Sequence, residues 1–256
     1  MTRRTVAVIL PAFNEAARIE RTIGTIARYL ATGAPVGPIV IADDGSDDDT
    51  AGVARRAADA VGLELEILRF PHRGKAAVVR AAMLDVAPRV TAEYVMMLDA
   101  DDELQIDQLD RVEWSAHPGT IYIGRRVDSN TAARPTAVRR LMSGAMRAAS
   151  RILLGLRLPD TQCGFKLFPR LIVTDLFDQQ RSTGWTFDAE LLFIASRVSM
   201  LPIQEVPVVW HPRGTSHVRP LSAALSGLAM FGTAWNRLRR VYRPVGQHML
   251  ATVGDT

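Results

Sequence analysis

The chain has 256 residues, 48% of them hydrophobic and 23% charged, with 31 basic side chains against 27 acidic ones. That length suits one large domain or two small ones, and the composition excludes a disordered or fibrous protein. One cysteine, Cys163, excludes an intramolecular disulfide and fits a reducing, cytoplasmic compartment.

Residues 6–10 form an apolar run that predicts a buried strand, and Pro11 and Asn14 punctuate its end. The run is short and lacks a small-residue cleavage pattern, which argues against a signal peptide. Ile19, Ile23, Ile26 and Leu30 then recur at the spacing of a one-sided helix. Residues 39–42 predict a second strand that enters DDGSDDDT, where Ser46 or Asp47 caps a helix through Val53, Ala57 and Val61. Residues 63–68 predict a strand, 74–84 a helix and 94–98 a fourth strand. This alternation predicts an α/β fold.

The later elements are less regular. Residues 121–124 predict a short strand. Val138, Leu141, Met142, Ala145, Ala149, Ile152 and Leu153 mark one face of a long helix whose other face carries Arg139, Arg140, Arg147 and Arg151. LPDTQCGFKLF, a helix led by GWTFDAELLFIA and a strand PIQEVPVVW follow. Residues 221–235 are apolar but too short to span a bilayer, which needs about 20 residues.

The fourth predicted strand raises a chemical question. It runs straight into Asp99, Asp101, Asp102 and Glu103, and carboxylates this close repel one another and resist burial. Something positive is expected among them. Earlier strands release Asn14 and Glu15, then Asp43 and Asp44, at the carboxyl edge where open α/β sheets bind ligands. An acid-rich helix cap explains residues 47–49 well and Asp43 less well. Asp-x-Asp after a buried strand is a divalent-metal signal, because alternate carboxylates can face a crevice where Mg²⁺ or Mn²⁺ bridges phosphates.

Basic residues are unevenly placed. Between positions 125 and 157 eight arginines face a single acid, Asp128, and after Glu205 no acid appears until Asp255. This asymmetry points to a phosphate, nucleotide or anionic lipid partner, with a GC-rich coding bias as the plain alternative. Only two of the basic residues are lysines, Lys75 in HRGK and Lys166 in CGFK.

In chain order, PAFNE (11–15), IADDGSDDDT (41–50), HRGKAAVVRAA (72–82) and LDADDE (98–103) resemble the nucleotide-sugar half of the family 2 inverting glycosyltransferases of GT-A fold. DTQCGFKLF (160–168), GWTFDAELL (184–192) and EVPVVWHPRGTS (205–216) resemble the polyprenyl-phosphate branch, the dolichyl-phosphate glucosyltransferases and mannose synthases. The GxGxxG fingerprint of a dehydrogenase and the P-loop pattern are both absent. The resemblance implies a mostly parallel central sheet flanked by helices. It also implies a catalytic domain over 1–220, divided into a nucleotide-sugar half (1–118) and an acceptor half (119–220).

It further implies that Pro11, Phe13 and Glu15 line the base and ribose site, with Asp43 facing the base and Asp44 and Lys75 beside it. Asp99 would hold the sugar or ribose side and Asp101 would ligate the metal. Glu103 stands where the mannose synthases have a glutamine, and a carboxylate there would also ligate. Arg126 matches the arginine that follows the IYIG-like strand and is taken as catalytic, Arg139 and Ser143 match an arginine and a serine expected near the acceptor phosphate, and Arg213 matches the arginine of a late loop that closes over the nucleotide. His217 replaces the lysine of many relatives. GWTFDAE looks like the glucosyl branch. Its Asp188 and Glu190 read either as a catalytic carboxylate with a positioning partner or as a helix N-terminal pair.

The implied reaction moves a hexose from UDP-glucose or GDP-mannose to a polyprenyl phosphate at the cytoplasmic face of the membrane, with no nucleic acid partner. A soluble or saccharide acceptor is the alternative within enzymes, and a nucleotide-sugar binding subunit without turnover the alternative outside them. Residues 221–256 form an amphipathic segment ending in an arginine cluster, read as a membrane-docking helix or as one packed on the catalytic domain.

Overall fold

A computed structural model of the protein describes residues 4–128, 137–184, 186–211, 232–234, 236 and 240–246. Among the described residues seven strands form one sheet: β1 (Val6–Ala12), β2 (Val36–Asp43), β3 (Leu65–Arg69), β4 (Tyr94–Leu98), β5 (Ile121–Asp128), β6 (Phe165–Pro169) and β7 (Ile203–Trp210). Their order is β3-β2-β1-β4-β6-β5-β7. All neighbours are parallel except β6, which runs antiparallel to both β4 and β5. The helices are α1 (Ile19–Leu30), α2 (Thr50–Val61), α3 (Lys75–Arg89), α4 (Ala137–Leu154), α5 (Arg170–Asp178) and α6 (Phe187–Phe193).

β1 shows why the sheet is covered on both faces. Val6, Val8 and Leu10 join a core with Ile19, Ile23 and Ile26 of α1, while Ala7 and Ile9 join a second core with Val79, Met83 and Val86 of α3. A strand buried on both sides reads as an unbroken apolar run, as β1 and β4 do. α2 ends at Gly62, whose φ of 65° suits the left-handed cap position.

Two expectations change, and two elements were not foreseen. Thr50, not a residue nearer Ser46 or Asp47, opens α2, and its preceding residue is Asp49. Ser46 instead accepts the Asn14 N–H at 3.0 Å and donates its own N–H to Asp43 Oδ1 at 2.9 Å, joining two loops rather than capping a helix. Ile152, placed by periodicity on the apolar face of α4, is 80% exposed, while Ser150 and Leu154 are buried. β6 and α5 were not anticipated, because Lys166 interrupts the apolar pattern of FKLFP.

The chain's last described segment belongs to the same core. Tyr242 and Val245 are buried with residues of α5 and α6, and the Val245 N–H donates to Ser199 Oγ at 2.9 Å. Residues 221–231, most of the apolar stretch 221–235 of the expected docking segment, lie outside the described residues. Among the described residues no helix is long and apolar enough to cross a membrane. Tyr242→Ala is expected to cost about 3 kcal/mol by cavity formation and loss of its hydrogen bond. Chemical denaturation checks it, and an unchanged midpoint would mean that this segment is only laid on the surface.

Candidate active site

The carboxyl ends of β1, β2 and β4 lie side by side, so the turns that follow them meet. The Asp44 N–H donates to Ala12 O at 2.9 Å, and Asn14, at φ 55°, accepts the Asp47 N–H on Oδ1 at 2.8 Å. The Glu15 N–H donates to Thr50 Oγ1 at 2.8 Å. These bonds tie the PAFNE turn to the DDGSDDDT turn.

Each predicted donor-side residue has a definite place. Pro11 is buried on β1 and Phe13 is 38% exposed, stacked on His72 with ring centroids 4.1 Å apart. Asp43 is fully buried. Its Oδ1 accepts from Ser46, while Oδ2 makes no hydrogen bond among the described residues and faces Arg69 Nε at 3.4 Å. Asp44 accepts the N–H groups of Arg73 and Gly74, both at 2.9 Å, and so shapes the turn that starts α3. Gly45, at φ 69°, allows the two loops to touch, since a Cβ there would come within 2.9 Å of His72 N. Glu15 is paired with Arg18 at 2.7 Å; burial raises its pKa, opposed by Arg18 and reinforced by the charge of Asp99.

Both lysines of the chain enter the site. Lys75 Nζ donates to Asp99 Oδ1. Lys166, on β6 and 1% exposed, lies 2.8 Å from Asp188 Oδ1 and donates to Cys163 O. Burial works to raise the Asp99 pKa, but Lys75, followed by Lys166 and Arg126, overcomes it and holds the carboxyl below its ordinary value. Burial lowers and Asp99 raises the pKa of Lys75, with a net rise. Burial also raises that of Asp188, against the pull of Lys166 and Lys75.

Asp101 is the carboxylate left over. It has no ion pair among the described residues, and burial together with the Asp99 charge pushes its pKa up to about 6. The repulsion foreseen from the sequence is therefore relieved by two ammonium groups and concentrated on Asp101. Glu103, by contrast, accepts the Trp210 indole N–H at 2.8 Å, and its carbonyl accepts the His211 N–H at 2.8 Å. These contacts anchor the acidic loop to the end of β7.

In the stretch expected to form the acceptor half, Arg126 of β5 makes a forked pair with Asp160, Nε to Oδ2 at 2.7 Å and Nη2 to Oδ1 at 2.9 Å. Arg125, Arg126, Arg147, Asp160 and Thr161 line a cleft of about 270 Å³. Arg139 and Ser143 fall within α4, with side chains outside the described residues, and Arg213 and His217 lie outside them altogether. Glu190 is fully occupied: Oε2 accepts the Arg181 and Ser182 N–H groups at 3.0 and 2.7 Å, and Oε1 accepts the Tyr242 hydroxyl at 2.7 Å.

A divalent cation fits this donor set. Among the described residues no three His, Cys, Asp or Glu side chains converge into a cage of their own, and Mg²⁺ or Mn²⁺ bound through one or two carboxylates plus substrate phosphates requires none. Asp101, ionised at neutral pH against burial and a neighbouring negative charge, is the group such a cation would relieve.

Sequence reasoning missed Asp160, His72, Trp210 and Gly164, and it pointed to Lys166 only through the rarity of lysine, with no role attached. Gly164 matters because its carbonyl accepts the Asp99 N–H at 3.2 Å and a Cβ there would overlap the Asp99 carboxylate. Gly164→Ala is accordingly expected to leave the protein folded while weakening UDP binding in Mn²⁺ at least tenfold, measured by calorimetry. Unaltered affinity would show that Asp99 can move without consequence.

A family model described as glycosyl transferase family 2 matches residues 7–177. The chain belongs to this family. A dolichyl-phosphate beta-glucosyltransferase, ALG5C of Trichomonas vaginalis, is 32% identical over 82% of this chain, and the chain spans 65% of that protein's length. The dolichyl-phosphate beta-glucosyltransferase of Saccharomyces cerevisiae is 29% identical over 80% of this chain and 66% of its own. Solved structures of the same fold include mannosyl-3-phosphoglycerate synthase from Rubrobacter xylanophilus, with a TM-score of 0.65, 19% identity and coverage of 93% of this chain and 74% of that one. Another is glucosyl-3-phosphoglycerate synthase from Mycobacterium tuberculosis in complex with Mn²⁺, UDP-glucose and phosphoglyceric acid, with a TM-score of 0.63, 21% identity and coverage of 91% and 79%. At these identities the structures establish the GT-A fold of the family member described above.

Proposed function

We propose that this protein is a metal-dependent inverting glycosyltransferase that moves a hexose from a nucleotide sugar to a polyprenyl phosphate at the cytoplasmic face of the membrane. The observation that carries the reading is the commitment of its carboxylates. A hydroxyl acceptor needs a general base to take its proton. The two acceptor-half candidates are engaged, Asp188 by Lys166 and Glu190 by two amides and a tyrosine, and Asp160 is held by Arg126. A phosphate acceptor is already an anion near neutral pH and needs cations and aim instead.

The chain's own groups suit that task. The Phe13–His72 stack offers a flat wall for a base, and Asp43 Oδ2 can accept from a base N–H. Asp101, with Glu103, would hold Mg²⁺ or Mn²⁺, which when bound neutralises charge on the departing diphosphate, while Asp99 would face the sugar or ribose. Arg126, oriented by Asp160, and Arg125 and Arg147 receive the acceptor phosphate, for which the arginine fork is suited. By the resemblance, Arg139 and Ser143 would meet the acceptor phosphate and Arg213 the nucleotide, while Lys75 keeps Asp99 in place. The relatives named as dolichyl-phosphate beta-glucosyltransferases support glucose as the sugar and a polyprenyl phosphate as the acceptor.

Exposed Arg147, Arg151 and Ile152 on α4 support peripheral contact with anionic lipid. Sedimentation with anionic liposomes is expected at low salt and should weaken as salt rises; indifference to such liposomes at low salt would remove the membrane part of the proposal. For the reaction itself, purified protein would be incubated in Mn²⁺ with labelled UDP-glucose or GDP-mannose and either a short polyprenyl phosphate or 3-phosphoglycerate. Label extracted into organic solvent is expected with the lipid acceptor. Label found only on the water-soluble acceptor would overturn the lipid assignment.

A further inference from the structure

Lys166 is an unusual residue for its position. It sits inside the sheet, opposite Met97 of β4 and Ile123 of β5, and is 1% exposed in a chain with one other lysine, Lys75. A buried ion pair is seldom needed for stability, since well-packed apolar residues of similar volume serve as well or better. The fold alone therefore does not account for it.

Its contacts lead to the donor site. Asp188 at the start of α6 holds the ammonium at 2.8 Å, and the ammonium donates to the carbonyl of Cys163. That carbonyl belongs to the peptide joining Cys163 to Gly164. Gly164 in turn accepts the Asp99 N–H and lies against the Asp99 carboxylate so closely that no side chain fits between them. Asp99 then meets Lys75 at the start of α3. Asp188, Lys166, the 163–164 peptide, Asp99 and Lys75 form one continuous path of polar contacts.

We infer that Lys166 and Asp188 are positioning residues, an internal ion pair that fixes the Cys163–Gly164 peptide so that Asp99 is presented to the nucleotide sugar. The inference rests on the donor-site reading above and adds to it a function for two side chains that do not touch the substrate. It also removes Asp188 from the role of general base. A base and a positioning group differ in kinetics: loss of a base lowers kcat and changes the pH profile, whereas loss of this support weakens donor binding.

The test uses the full chain carrying Lys166→Met together with Asp188→Leu, which removes both charges and leaves neither unpaired, and Asp188→Asn alone. Calorimetry measures UDP binding in Mn²⁺, and circular dichroism and melting temperature report the fold. The double variant is expected to melt within a few degrees of the parent yet bind UDP in Mn²⁺ at least tenfold more weakly. Asp188→Asn is expected to raise the donor KM more than it lowers kcat and to keep the pH profile. Three results would overturn the inference: a folded double variant with parental affinity, a double variant that does not fold, or an Asp188→Asn enzyme with unchanged KM, depressed kcat and a lost basic limb. If the parent itself does not bind UDP in Mn²⁺, the donor-site reading and this inference fall together.

Discussion

Asp101→Asn is expected to abolish transfer and the Mn²⁺-dependent part of UDP affinity while leaving the metal-free protein as stable as the parent or more so. The reason is that Asp101 is ionised at neutral pH against burial and the charge of Asp99, which raise its pKa to about 6. With its folded pKa above the unfolded value, ionisation favours the unfolded chain. The penalty is fully present above pH 6, shrinks as pH falls through that value and vanishes below the ordinary carboxylate range near pH 4. Allowing for partial solvent access, the gain on substitution is on the order of 2 kcal/mol at pH 7. Melting curves at pH 7 and pH 4 should therefore separate the variant from the parent only at the higher pH. A variant that retains near-normal turnover would refute the metal role, and one that is less stable at pH 7 would refute the charge account.

Arg126→Met is expected to lower kcat/KM for polyprenyl phosphate by about 10²- to 10³-fold, the scale for losing a positioned charged donor to a phosphate. UDP affinity in Mn²⁺ should fall far less, because the pair with Asp160 lies in the cleft proposed for the acceptor and Arg126 is the last of the three cations that act on Asp99, after Lys75 and Lys166. The split between the two measurements carries the weight. Arg126→Met also leaves Asp160 without its partner, so Arg126→Met with Asp160→Leu serves as the control for local collapse. Equal losses on both ligands would mean that the arginine supports the whole site and has no acceptor-specific task.

The donor half was legible because its elements are strongly periodic and its acids sit at strand ends. Residues 6–10, 39–42 and 94–98 all fall within observed strands, since each is buried on both faces and can be read from apolar content alone. The convergence of PAFNE with DDGSDDDT followed from the rule that parallel strands gather their carboxyl-end loops. The acceptor half was harder to read. β6 joins the sheet antiparallel and carries a buried charged residue, Lys166, and nothing local in FKLFP distinguishes a buried paired lysine from an exposed loop lysine. The partners of carboxylates were not legible either. Glu103 to Trp210, Glu190 to Tyr242 and Arg126 to Asp160 join residues 34 to 107 positions apart, and such separations are set by topology.

The most direct measurement of the central claim is the structure of the product made from UDP-glucose and a short polyprenyl phosphate in Mn²⁺, determined by mass spectrometry and the anomeric coupling in proton NMR. In-line attack by an anionic phosphate on the face opposite the departing diphosphate predicts one organic-soluble hexosyl phosphate with β configuration. An α-linked product, or no lipid-linked sugar with any donor, would contradict it.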